Sequence, residues 1–342
     1  AAVEGFRIAA ERTPVLSDYA KFFLAESLAR SGDLAGARNA AELLVLSESG
    51  SRLVPQALLL AASLASQEGD EARAERLLRR FLSRFPDSSE AALGRYLLGL
   101  TLEAQGRHAE AASTFRELWL SAPTTAYGVA AGDQLKRLAQ KGIVLPALTF
   151  EERLERAERL LTGGALTATR EEAESLLLEN PGAEQALKAL TLVAQSLWRL
   201  RRFGEAAVAV DRSLALAPPL HHPSLLLNLG RLQHRAGARE LAIGSLERLI
   251  TRLPREPETA SALVLKGRIL EEAGRQIEAI GVYQRATAEF PDHESVAAAL
   301  WRLGWMAYLG GETAMAGRQF ERLANLPVGQ PYRLASAYWA GR

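Results

Sequence analysis

The residues whose types could do chemistry are few and scattered. His221 and His222 are adjacent and flanked by Pro218, Pro219 and Pro223. Adjacent ligands rarely close on one metal, and no carboxylate or cysteine stands near them in sequence, so the pair reads as loop and not as a zinc site. His234 lies beside Arg231 and Arg235 on a helical pattern and reads as an exposed surface histidine. Paired acids occur at Glu151-Glu152, Glu171-Glu172 and Glu271-Glu272. Neighbouring positions on a helix splay about 100° apart, so these pairs are solvated faces and not acid–base dyads. No phosphate-cradling glycine loop, Ser-His-Asp pattern or zinc spacing is present. The residues therefore point to no catalytic group, no cofactor and no metal.

Composition narrows the class. The chain has 342 residues, 48% of them hydrophobic, which is too many for one ordinary core and suits two domains or a one-dimensional solenoid. Ala and Leu, both good helix formers, are abundant, and β-branched runs are missing. A net charge of +1 supplies no basic stripe for nucleic acid. With no cysteine there are no disulfides, thiolate sites or thiol nucleophile. No apolar run reaches the ~18 residues of a membrane helix. The chain opens Ala1-Ala2 without Met or signal sequence and reads as a processed or excised piece.

The element that would position any functional residue is a repeat. Residues 262–291 read as two helices joined by a turn at Gly274, with small residues, Gly267 and Ala279, where the helices must approach. Each helix is apolar on one face only, so the pair needs neighbours. The first-helix small residue recurs at Ala25, Ala62 and Gly99, and again at Ala157, Ala194, Gly230, Gly267, Gly304 and Gly341, at intervals of 36 or 37. Turn residues follow at Gly32, Gly69, Gly106, Gly164, Arg201, Gly237, Gly274 and Gly311. Second-helix small residues follow at Ala37, Ala74, Ala111, Thr169, Ala206, Ala242, Ala279 and Ala316. Prolines close the second helix at Pro86, Pro123, Pro181, Pro218, Pro254 and Pro291, with Pro327 one residue early. These are the marks of a tetratricopeptide repeat, its period stretched from about 34 to about 37. The expected fold is all-α, a right-handed α-α superhelix with almost no strand.

Three departures break the pattern. Ser49 stands where the first repeat's proline belongs, in a loose Ser-Glu-Ser-Gly-Ser loop. Arg201 replaces a turn glycine, at some cost in stability. After Gly99 the phase slips: a further first helix runs from about Ala126 to Lys141 without a partner, Gly142 and Pro146 end it, and Thr149 with Glu152 reads as a capping box. This gives a first array over 1–141, a break or linker over 142–149 and a second array over 150–342, or one solenoid with a bend. Tyr332 to Arg342 reads as a first helix cut in mid-repeat, so the natural protein is expected to continue.

In such arrays the first helices line a concave groove. Residues one and four after the small position face it, selecting Gln195 and Trp198, Arg231 and His234, Arg268 and Glu271, and Trp305 and Tyr308, joined by Trp301. Aromatic, Arg, Gln and Glu side chains suit sugar or peptide ligands. The competing account is that Trp301 and Trp305 pack between repeats.

Three segments, SDYAKFFLAESLARSGD at 17–33, TFEERLERAERLLTGG at 149–164 and YRLASAYWAGR at 332–342, taken with the stretched repeats, resemble the N-terminal superhelical region of soluble lytic murein transglycosylases. The resemblance implies a periplasmic scaffold that engages peptidoglycan strands for a C-terminal lysozyme-like catalytic domain, absent here. That family's catalytic Glu sits in a Glu-Ser motif followed by a Gly-Leu-Met-Gln stretch. Glu26-Ser27, Glu174-Ser175 and Glu294-Ser295 are not so followed, so no catalytic residue carries over. The rival expectation is a protein–protein adaptor holding a peptide in its groove. A third, an outer-membrane assembly lipoprotein, wants a lipidated cysteine that this sequence lacks.

Overall fold

The computed structural model describes residues 2–47, 50–327 and 332–342; Ser49 lies outside them. Every regular element among the described residues is helical. The chain divides into two compact units, Ala1–Ala165 and Leu166–Arg342. The first holds α1 (Ala2–Arg12), α2 (Ser17–Arg30), α3 (Leu34–Ser47), α4 (Val54–Gln67), α5 (Glu71–Arg84), α6 (Ala91–Ala104), α7 (His108–Ser121), α8 (Ala126–Gln140) and α9 (Phe150–Thr162). The second holds α10 (Leu166–Leu177), α11 (Ala183–Arg199), α12 (Phe203–Leu216), α13 (His222–Arg235), α14 (Arg239–Arg252), α15 (Pro257–Glu272), α16 (Gln276–Glu289), α17 (Val296–Leu309), α18 (Thr313–Ala324) and α19 (Arg333–Gly341). The all-helical repeat expected from the spacing is the fold observed.

The intra-pair turn explains the glycine period. Gly69 (φ 81°) and Gly274 (φ 77°) adopt the left-handed conformation that would crowd a Cβ. That conformation folds the chain back so that the Gly69 N–H donates to the Ser66 carbonyl at 3.0 Å and the Asp70 N–H to the Ala65 carbonyl at 2.9 Å, satisfying groups that the helix end would orphan. Arg201 is held at φ 61° and makes the same pair of bonds, Arg201 N–H to Trp198 and Arg202 N–H to Leu197. Packing of α11 on α12 imposes the turn whether or not the residue suits it.

The small first-helix positions have a matched partner on the second helix. A Cβ built on Gly267 would lie 2.5 Å from Cε1 of Tyr283; on Gly304, 2.5 Å from Cε1 of Phe320; on Gly230, 2.7 Å from Cδ2 of Leu246. Gly99 stands in the same relation to Phe115. In each case the large residue is sixteen positions on and buried. Where the first helix carries Ala25, Ala62 or Ala194 instead, the residue sixteen on is Ala41, Leu78 or Val210, never an aromatic. Large and small residues thus interdigitate across the helix pair.

Residues 142–149 form an irregular connection inside the first unit. Ile143 and Leu145 pack onto that unit's core, and the Arg116 guanidinium donates to the Pro146 carbonyl. The Thr149 hydroxyl accepts the Glu152 N–H at 3.2 Å while the Glu152 carboxylate accepts the Thr149 N–H at 2.8 Å, so the capping box forms. From there α9 is tied to α7 by the Arg116–Glu152 ion pair at 3.0 Å and by the Arg156 guanidinium, 3.8 Å over the Trp119 ring.

Candidate ligand-binding face of the second unit

Within the second unit, α13, α15 and α17 are the successive first helices of their pairs, and side chains at 3- and 4-residue spacing project from them onto one face. They frame a groove of about 550 Å³ lined by Arg231, His234 and Arg235 from α13, Arg268 from α15, and Trp301 and Arg302 from α17, with Tyr283 at its floor and Tyr332 at its rim. Four of the nine residues selected from the sequence, Arg231, His234, Arg268 and Trp301, thus come together. Gln195 and Trp198 line a separate pocket of about 280 Å³ between α11 and α13. Trp305 and Tyr308 turn towards α18 and α19: Trp305 lies 4.8 Å from the Trp339 ring and 6.0 Å from Phe320, and Tyr308 lies 5.5 Å from Trp339. Trp301 does both jobs, walling the groove while packing on Phe320 at 5.4 Å and Tyr332 at 5.5 Å.

Two readings of the polar residues need correction. His234 is not an exposed surface histidine: its side chain is 16% exposed and its Nε2 meets Glu272 Oε2 at 2.7 Å. Glu271 is not on a solvated face. Arg302 Nε donates to its Oε2 at 3.0 Å and the Tyr283 hydroxyl donates to the same oxygen at 3.2 Å. Burial pushes the Tyr283 hydroxyl well above its ordinary value, aided by the Glu271 charge, so it stays protonated and remains a donor. These partners lie one repeat or one helix away, which no local pattern reveals. His221 ends a short 3-10 turn and His222 opens α13, its Nε2 3.0 Å from the Ala217 carbonyl, so each serves the chain's own entry into the helix.

The groove is unevenly charged. Arg231, Arg235, Arg268 and Arg302 line it, and the neighbouring carboxylates are Glu271, held by Arg302, and Glu272, shared between His234 and Arg268 at 3.7 Å. Arg231 is exposed and has no ion pair among the described residues. By contrast, a cavity of about 580 Å³ on the second helices α12 and α14 is lined by Asp211 and Glu240 against Arg212 and Arg248, a balanced set. Sequence reasoning missed Arg302 and Asn228, which stand two before the small positions Gly304 and Gly230. Being three before the next selected position, they share its helix face, and extending the scan by one turn would have found them. Among the described residues no group of three His, Cys, Asp or Glu side chains could hold a metal ion, and no helix is long and apolar enough to cross a membrane.

The family model for the tetratricopeptide repeat matches residues 59–119, 191–257 and 227–294. No curated protein matches the chain. Among solved structures, YrrB, described as a TPR protein with an unusual peptide-binding site, is 16% identical over 56% of this chain and 91% of that one, with a TM-score of 0.40. MamA is 15% identical over 53% of this chain and 96% of that one, with a TM-score of 0.42. A tetratricopeptide repeat protein from Parabacteroides merdae is 15% identical over 84% and 99%, with a TM-score of 0.35. Residues 59–119 in the first unit and 191–294 in the second are therefore tetratricopeptide repeats.

Proposed function

We propose that the chain is a repeat scaffold that holds an extended segment of another protein along the first-helix face of its second unit. The observation that carries this reading is the contrast between the two faces: four arginines with a half-exposed aromatic wall on one, a charge-balanced cavity on the other. A pre-formed row of helices offers such a segment side-chain pockets and polar rims without reorganisation. The test is selection of random 12-residue peptides displayed on phage against the whole chain. Enriched peptides should bind Leu241→Glu, on the second-helix face, as they bind the wild type, and should lose binding to Arg231→Glu/Arg268→Glu. No enrichment, or loss with Leu241→Glu instead, refutes the reading.

A second reading is the scaffold of a periplasmic lytic transglycosylase, engaging peptidoglycan for a covalently attached C-terminal catalytic domain. It is supported by the resemblance of the three segments at 17–33, 149–164 and 332–342, and by the Trp301–Tyr332 wall beside Arg268, where a sugar ring could stack and a lactyl-peptide carboxylate pair. Co-sedimentation with purified peptidoglycan tests it. Binding lost in Arg268→Ala with unchanged melting supports it, and absence of co-sedimentation removes it.

A further inference from the structure

We infer that the segment held on this face carries a bulky apolar side chain and an acidic side chain about three residues apart. This rests on the protein-binding reading above and specifies its ligand.

The apolar site is the pocket of about 280 Å³ between α11 and α13. Its volume falls below the roughly 300–1,000 Å³ of small-molecule sites, and suits one side chain. Trp198 walls it and is 49% exposed, so one side of an indole remains uncovered by the chain's own residues. A large aromatic surface left beside a preformed hollow is an anchor position of the kind that carries most of an interface's energy. Gln195 and Asn228 stand exposed at the rim, their amides without partners among the described residues. Each offers both a donor and an acceptor, which matches the alternating N–H and C=O of an extended backbone.

The acidic site lies between α13 and α15, one first-helix spacing on from the pocket between α11 and α13. Arg231 projects from the same stripe of α13 as Asn228, three residues on. It is exposed and unpaired among the described residues, and Arg268 beyond it shares its only carboxylate, Glu272, with His234. Both guanidiniums line one groove without full neutralisation, which favours entry of an external carboxylate, and a guanidinium fork can take it bidentately. Neighbouring packed helices are about 10 Å apart and an extended chain advances about 3.3 Å per residue, so the two sites are spanned by about three residues. Charge complementarity thus selects an acidic–hydrophobic protein segment.

The peptides enriched on the whole chain provide the test. Each is resynthesised with its apolar residue changed to Ala, its acidic residue changed to the amide, or the spacing between them lengthened by two. Each change should weaken binding about tenfold or more, as loss of an anchor does. Trp198→Ala should weaken the parent peptide by a similar factor and leave the Ala-substituted peptide unaffected; Arg231→Gln should act likewise on the acidic but not the amide peptide. The peptide changes need no protein variant, so a misfolded Trp198→Ala would not obscure the result. Enriched peptides that depend on the arginine face but show no such pair, or tolerate any spacing, overturn this inference while the scaffold reading stands. No enriched peptide overturns both.

Discussion

Replacing Gly267 by Ala sets two effects of known sign against each other. Gly267 lies inside α15, and Ala in place of an interior helical Gly favours the helix by about 1 kcal/mol. The new Cβ would stand 2.5, 2.7 and 2.9 Å from three carbons of the Tyr283 ring, well inside contact distance. The ring has little room to give, being 1% exposed with its hydroxyl bound to Glu271. Overpacking a filled site costs about 1–3 kcal/mol, so Gly267→Ala should destabilise by up to ~2 kcal/mol. The repeat at Ala62 shows the alternative solution, an Ala facing Leu78. Gly267→Ala/Tyr283→Leu should therefore be more stable than the two single changes add up to, with a favourable coupling of about 1 kcal/mol or more. Urea unfolding followed by circular dichroism on the four proteins of this cycle measures it. A Gly267→Ala protein at least as stable as wild type, or single effects that add within about 0.5 kcal/mol, would refute the complementarity.

Three further outcomes follow from the geometry. Arg201→Gly should raise stability by about 1 kcal/mol, because it relieves a left-handed φ of 61° without removing a turn bond; a lower melting temperature would contradict this. Gly281→Ala should also stabilise by about 1 kcal/mol in the same thermal assay, since Gly281 lies inside α16 and a Cβ there meets nothing within 4 Å. Burial pushes the Glu75 carboxyl up, but hydrogen bonds from Arg79, Gln105 and Arg107 outweigh it and hold the group below its ordinary value. A depressed folded-state value means stability that is present above about pH 4.3 and lost as pH falls below it. Glu75→Gln should flatten that acid-side loss in pH-dependent unfolding, and an unchanged slope would refute the assignment.

What the sequence revealed follows from what repeats. The turn glycines and the Thr149 cap are fixed by local backbone geometry, and the small helix-crossing positions recur with the period of the repeat, so a single chain displays them. The residue sixteen beyond each small position was equally legible, since Phe115, Leu246, Tyr283 and Phe320 recur in register with the glycines, but that offset has to be sought. The groove chemistry was harder. Arg231 and Arg268 could be placed on a face by periodicity, whereas the Arg302–Glu271 bond spans 31 residues and joins two repeats, with a geometry set by packing alone. For Trp305 the sequence offered both a groove position and packing between repeats, and its turn towards Trp339 depends on a helix in the next repeat.

The matched glycine–aromatic positions also decide how these repeats can be recombined. A chimera joined between repeats, for example at Pro254, carries each small residue together with the side chain that fills its space. One joined at the glycine turn within a pair would set Ala62-type helices against Tyr283-type partners, which collide, or glycine helices against Ala41-type partners, which leave a void. The helix pair, cut only at its outer ends, is the smallest module that can be exchanged.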